Sequence, residues 1–326
     1  MKRIVSSLLI LAFCLVFLAG CSLLPQKIAF RNVNFYVDGE LYTTKTVVLG
    51  QSVSVPKNPE KDNFVFTGWR TEGAVAYIYD FSSKIIDDIN LHACFTLDTV
   101  AVGNMIANET VKSTVQVFNT NSNTSGGTVV DGNSSQGSGV VVKISGGYCY
   151  VLTNAHVVEK EEDYANQSIA VRDPWGNLYE AHIYTDPSTK LAAVSQDYDL
   201  ALIWFRYNPR INQELVKIKM GEDVEVGDYV ITVGNPQGLI NSVTYGKALA
   251  YQGIVADDSD PINKVKFNVL FYNAPTDHGS SGGAVVDAYG KLVGISFAGA
   301  NDGEYGCAIP ISQVREFLKL YYKLYI

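Results

Sequence analysis

The chain has 326 residues, of which 47% are hydrophobic and 18% charged, so a packed core spread over one large or two ordinary domains is expected and disorder is not. A formal net charge of −8, with no Lys/Arg cluster after the first three residues, argues against nucleic acid as a partner. No His/Cys spacing suited to a metal and no phosphate-cradling loop is visible, so no metal and no cofactor is expected.

The N-terminus reads MKRIVSSLLILAFCLVFLAGC. Lys2 and Arg3 open it, a short apolar run follows, and Leu18-Ala19-Gly20-Cys21 closes it, the pattern of a secretory signal over residues 1–20. The ending resembles the lipobox of bacterial lipoproteins. That resemblance implies cleavage before Cys21, acylation of Cys21, and a chain held on the extracytoplasmic face of the membrane by its lipid. Without Lys2 and Arg3 the mature chain carries 23 basic against 33 acidic residues, a net charge of −10. Beyond the signal and Cys21, the cysteines Cys94, Cys149 and Cys307 are odd in number and widely spaced, so no disulfide framework is read from them.

After a tether over residues 21–27, residues 28–97 alternate with period two, as in VNFYVDGELYTT and TVVLGQSVSVP, and predict strands. Asp38-Gly39 predicts a hairpin turn. Phe35, Phe64, Phe66, Trp69, Tyr79 and Phe81 are the candidate core or strand-surface aromatics of this module. FYVDGELY, GQSVSVPKNP, FTGW, YDF and INLHACF together resemble one listerial-bacteroidal surface repeat, the family that includes the B repeat of internalin B. The resemblance implies a small β-grasp-like domain that acts as a spacer or contacts cell wall or surface protein. His92 and, further on, His182 lie in alternating stretches and read as strand-surface residues.

Residues 98–112 predict a junction with a short helix, and residues 113–118 a strand. The run NTNSNTSGGTVVDGNSSQGSG reads as a polar loop. Strands and turns dominate from there to about residue 311 on pattern alone. Val314, Phe317, Leu318 and Tyr321 or Tyr322 follow helical spacing, with Ser312 as the candidate N-cap of a helix over about 312–324.

Three segments carry candidate chemistry. His156 closes an apolar strand in YCYVLTNAHVV, Asp199 opens one in YDLALIWF, and Ser281 lies in TDHGSSGGAVVD. Acyl transfer needs a nucleophile, a base, a carboxylate to orient the base, and backbone N–H groups aimed at the developing oxyanion. Glycines beside a serine permit the backbone angles that bring such N–H groups together. LTNAHVV, DLALI, VGNPQG, GSSGGAVVD with LVGI, and GCAIP, in that order, resemble the chymotrypsin-like serine peptidases of the Deg/HtrA type over about residues 100–326.

The resemblance implies a mainly β fold, with two six-stranded antiparallel β-barrels over about 113–207 and 223–311 and a C-terminal helix. It implies a catalytic triad of His156, Asp199 and Ser281. The oxyanion hole would be formed by the N–H groups of Gly279 and Ser281, with Ser280 nearby. Asp186 and Asp197 are alternatives to Asp199, because DPSTKLAAV nearly repeats the aspartate motif. His278 is placed at the entrance of the substrate pocket rather than in the triad, with Ala274, Pro275, Thr276, Ser296, Phe297 and Ala298 as further pocket residues. No acid stands at an obvious pocket base, so small or medium apolar P1 residues are expected. The family usually carries PDZ domains after the protease, and no PDZ regulation is expected here. The expected function is a lipid-anchored serine endopeptidase acting on protein or peptide substrates. The rival is a surface binding lipoprotein on a retired protease fold.

Overall fold

A computed structural model describes residues 28–73, 76–211, 213–236, 241–254, 265–299 and 305–322. The signal segment and Cys21 lie outside the described residues. The chain divides into two compact units, Met1–Thr96 and Leu97–Ile326.

The first unit is built on strands β1 (Phe30–Val37), β2 (Glu40–Val48), β3 (Phe64–Thr71) and β4 (Ile89–Leu97), in the order β2-β1-β4-β3 with β1 and β4 parallel. Asp38 and Gly39 take φ of 48° and 84°, so both central residues of the β1–β2 turn are left-handed, as a type I′ hairpin requires. Period-two alternation buries Val33 and Phe35 on one face of β1. There Phe35 meets the edge of Trp69 at 4.8 Å, and Tyr79, Ile85 and Leu91 complete the core. Phe66 and Phe81 pack against it only partly buried. Val53, from the extended connection between β2 and β3, also enters this core.

The second unit opens with helix α1 (Thr99–Asn108), capped by the Asp98 carboxylate, which accepts from the N–H groups of Val100 and Ala101. Two sheets follow. The first comprises β5 (Thr114–Ser125), β6 (Thr128–Ser145), β7 (Tyr148–Thr153), β8 (Asn166–Arg172), β9 (Leu178–Ile183), β10 (Val194–Ser195) and β11 (Leu200–Arg206). Pairing of β11 with β9 closes six of them, in the order β11-β7-β6-β5-β8-β9, and β10 adds to the outside of β11. The second comprises β12 (Lys219–Met220), β13 (Tyr229–Gly234), β14 (Ser242–Gln252), β15 (Val269–Tyr272), β16 (Ala284–Val286), β17 (Lys291–Gly299) and β18 (Gly306–Pro310). Here β17 with β18 closes the order β17-β16-β13-β14-β15-β18. Both are the six-stranded antiparallel barrels expected, and closure removes the open edges. Val117, Val141, Val151, Val171, Ile203 and Phe205 fill the first barrel, and Val230, Leu270, Tyr272, Val285 and Val293 the second.

Two local expectations are corrected. The polar run after Phe118 is not a loop. It forms most of a long β5–β6 hairpin, paired from Thr114↔Val140 to Ser125↔Thr128 with one register shift between Asn123 and Thr124, and with Gly126 and Gly127 at φ 59° and 83° in the turn. Both faces of the projecting part of β6 are exposed, so its side chains carry no apolar alternation to read. Ser312 is not the N-cap. Helix α2 (Ile311–Tyr322) starts one residue earlier, and the Ser312 N–H donates to Asp223 Oδ1 at 3.1 Å, a cap supplied from far along the chain. Val314, Phe317 and Leu318 are its buried face.

Candidate active site

Strands β7 and β11 pair antiparallel with Thr153 opposite Ala201, so the end of β7 and the start of β11 share one rim of the first barrel. His156 follows β7 in a 3₁₀ turn (His156–Val158), and Asp199 immediately precedes β11. Asp199 takes φ 48°, a left-handed conformation that aspartate tolerates better than most residues. The buried Asn154 holds it there, its Nδ2 donating to the Asp199 carbonyl at 2.9 Å. The Asp199 carboxylate, 3% exposed as a residue, accepts the His156 backbone N–H on Oδ1 at 3.1 Å and meets His156 Nδ1 with Oδ2 at 2.8 Å. A buried carboxylate with both oxygens engaged by one histidine fixes that ring's orientation and places the proton on Nδ1. Asp186 instead accepts from the N–H groups of Ser188 and Thr189, and exposed Asp197 stands 4.0 Å from Lys266.

Ser281 lies where the second barrel meets the first. Its carbonyl accepts the Ser138 N–H from β6 at 2.7 Å. The two glycines after it follow from close approach. A Cβ on Gly282, which has φ 83°, would run into the Ser138 carbonyl, and one on Gly283 would stand 2.8 Å from the Val233 carbonyl. Ahead of Ser281, the Ser280 N–H donates to the Asp277 carbonyl at 3.0 Å, and Gly279 takes φ 95°. That is a type II turn, in which the residue at the third position needs positive φ. Its geometry leaves the N–H groups of Gly279 and Ser281 without an acceptor among the described residues. The Ser280 N–H, grouped with those two in the sequence reading, is engaged inside the turn, and the Ser280 side chain is buried, its Oγ 3.5 Å from the Asp277 N–H. The Ser281 hydroxyl donates to the Phe297 carbonyl at 3.4 Å, and no hydrogen bond joins it to His156.

Two residues outside the His156, Asp199 and Ser281 segments organise this turn. Ser138 Oγ donates to the Gly279 carbonyl at 2.8 Å and accepts the Asn235 N–H at 2.9 Å. Asn235, buried at the start of VGNPQG, also donates from Nδ2 to the Val115 carbonyl at 3.1 Å. The Gly-Ser-Gly of β6 and the Asn of the second barrel thus brace the turn together. The end of VGNPQG, residues 237–238, lies outside the described residues. Of the expected pocket residues, Ala274, Thr276, Ser296 and Phe297 are buried, Ala298 is partly buried, and Pro275 and His278 are exposed. Ala274 packs into the barrel core, not toward solvent. No group of three His, Cys, Asp or Glu side chains that could hold a metal occurs among the described residues.

Two closed barrels, a His–Asp pair on one and a serine in a glycine turn on the other, define a chymotrypsin-like architecture. Residues 137–295 match the family described as the trypsin-like peptidase domain, and residues 32–94 match the Listeria-Bacteroides repeat domain. The second unit is therefore a trypsin-like serine peptidase domain, and the first a Listeria-Bacteroides repeat. The chain is 34% identical over 186 residues to a probable serine protease do-like of Buchnera aphidicola, and 33% identical over 186 residues to the periplasmic serine endoprotease DegP of Escherichia coli K12. Each match covers 55% of this chain and 34% of the relative, so the chain spans about a third of the length of these relatives. A crystal structure described as Rv3671c protease, inactive form, aligns with a TM-score of 0.50 at 21% identity, over 69% of this chain and 96% of that one, and shares the fold.

Proposed function

We propose that the chain is an extracytoplasmic serine endopeptidase, anchored through lipidated Cys21, that hydrolyses protein substrates through an acyl-enzyme. The observation that carries the reading is the 2.8 Å contact of His156 Nδ1 with the buried Asp199 carboxylate, at the end of β7 whose Thr153 hydroxyl a Cβ on Gly282 would crowd. In the reaction, Ser281 Oγ leaves the Phe297 carbonyl by a χ1 rotation and presents its hydrogen to His156 Nε2. It attacks the scissile carbonyl as His156 takes the proton. Asp199 stabilises the imidazolium, and the N–H groups of Gly279 and Ser281 receive the oxyanion. His156 then protonates the leaving amine, and water, deprotonated by the same ring, releases the acyl group. Several relatives are named as periplasmic endoproteases, which supports an extracytoplasmic site of action. Among the described residues no helix is long and apolar enough to cross a membrane. The repeat domain serves as the spacer or as the contact with wall or surface protein.

One observation favours a second reading, a binding lipoprotein on an unused peptidase fold: the Ser281 hydroxyl faces Phe297 and not His156. A fluorophosphonate probe separates the two. The endopeptidase labels as wild type and as Ser280→Ala, and loses label as Ser281→Ala. An unlabelled wild type means an unformed resting site or a binding scaffold, and shifts weight to the search for a partner. Metabolic labelling with a fatty acid, lost on Cys21→Ser, tests the anchor.

A further inference from the structure

Asp199 is the last residue of a short loop, Gln196 to Asp199, that joins β10 to β11, with Ser195 paired to Leu200 across its base. Loops of this kind are ordinarily among the more mobile parts of a fold. This one carries a carboxylate whose two oxygens must meet one histidine. Inside the loop the backbone tie is long, from the Asp199 N–H to the Gln196 carbonyl at 3.3 Å. The left-handed φ of Asp199 costs conformational energy and holds nothing. The hold therefore comes from outside the loop. On one side it is Asn154, which donates to the Asp199 carbonyl.

The other side is aromatic. The ring of Tyr198, the residue before Asp199, stands 5.8 Å centre to centre from Phe267 and 6.1 Å from Phe317. Both separations are those of packed aromatic pairs. Neither partner belongs to the first barrel. Phe267 lies just ahead of β15, and Phe317 is fully buried on α2. That helix is itself fastened to the segment after β12, because Arg315 meets Glu222 at 3.0 Å and donates to the Gly221 carbonyl. Beside Tyr198, the Asp197 carboxylate stands 4.0 Å from Lys266 Nζ, an exposed pair that adds little. Two consecutive residues of the loop thus meet two consecutive residues ahead of β15.

We propose that Tyr198 is a positioning residue for catalysis. Its ring clasps the Asp199 loop to Phe267 and Phe317, so the second barrel and the C-terminal helix set the place of a carboxylate carried by the first barrel. The inference rests on the endopeptidase reading above. Without the ring, the loop keeps only Asn154 and its own 3.3 Å bond, and the Asp199 carboxylate drifts from His156 Nδ1. A misplacement of about 1 Å is enough to cost about 100-fold in rate. The contacts invoked are ring contacts, so phenylalanine should serve in place of Tyr198.

The test is kcat and KM on one peptide, with the rate of fluorophosphonate labelling and the downfield proton NMR signal of His156 Nδ1–H recorded beside them. Tyr198→Ala should lower kcat and the labelling rate about 10–100-fold with KM within about twofold, and should weaken or lose the downfield signal. Tyr198→Phe should stay within about threefold of wild type and keep the signal. In the Asp199→Asn background, Tyr198→Ala should slow labelling by no more than about a further twofold, because the ring acts through that carboxylate. Should Tyr198→Ala not fold, Phe267→Ala, which removes the half-buried partner, should show the same pattern at about 3–10-fold. A folded Tyr198→Ala, or in its stead Phe267→Ala, with wild-type kcat and signal overturns the proposal. So does a loss of equal size in the Asp199→Asn background, which would mark a general structural role. A wild type that neither labels nor cleaves counts against the endopeptidase reading, and the NMR signal then decides the clasp: unchanged in Tyr198→Ala, it overturns the clasp as well.

Discussion

The two barrels share a topology and differ in what fills and ends them. The first is filled mostly by branched aliphatic side chains, and polar contacts enter at its rim, where Asn154, His156 and Asp199 lock one another. The second carries alanines at positions 248, 274 and 308 and a tyrosine whose hydroxyl runs into a buried polar chain. The first barrel holds the His156–Asp199 pair at its rim. In the second barrel the glycines after Ser281 are fixed by close backbone approach and not by flexibility.

The largest expected effects show whether the two barrels contribute to one unit. Ser281→Ala from the second barrel and His156→Ala from the first should each lower kcat about 10⁵–10⁶-fold, and the double variant should be no slower than either, because members of a triad fail together. Separable losses, measured on the same peptide, would mean the barrels do not act jointly. Asp199→Asn should cost about 10⁴-fold, since an amide no longer holds the His156 tautomer. A loss of about tenfold or less would leave Asp199 as only a structural tie of the first barrel.

Ser138→Ala is the sharper probe of the interface. It removes the hydroxyl that holds the Gly279 carbonyl and leaves His156, Asp199 and Ser281 unchanged. The expected loss is about 10–100-fold in kcat, below the value for deleting an oxyanion donor outright, with KM little changed. An unchanged kcat would show that the type II turn holds itself.

Stability should separate the barrels in the same direction. Phe205→Ala in the first barrel should cost about 3–5 kcal/mol by denaturant titration, as for other buried aromatics. Tyr272→Phe in the second should cost about 1 kcal/mol, the net value of a hydrogen bond. The reverse ranking would place the firmer core in the second barrel.

The smallest effect is alkaline. Burial raises Tyr272 from 10.0 to about 12 and Cys307 from 9.0 to about 12. Folded, both stay protonated where the unfolded chain ionises, so their stabilisation is complete below pH 9 and is lost progressively toward pH 12. Denaturant midpoints should fall between pH 8 and pH 10.5, and Tyr272→Phe should lessen the fall. A pH-independent midpoint would contradict the buried phenol and thiol.

Much of this molecule is legible along the chain because its signals are local. Period-two alternation marks β1, Asp38-Gly39 marks a turn that needs two left-handed residues, and the helical spacing of Val314, Phe317 and Leu318 marks the buried face of α2. The segments holding His156, Asp199 and Ser281 also stand out, because an apolar strand ends or a glycine turn begins beside each. Other features have no local signal. The β5–β6 hairpin is polar on both exposed faces, so only its backbone register reveals it. The cap of α2 comes from Asp223, and the support of Gly279 from Ser138 and Asn235, residues brought together only when the barrels close. Tyr272 looks in sequence like any core tyrosine. Its ring has space because Gly306, opposite it in the folded sheet, has no side chain. The sequence alone determined which residue types stand beside which turns, since turns and strands depend on near neighbours. The tertiary structure decided which distant side chains meet, since hydrogen bonds and close contacts depend on distance in space.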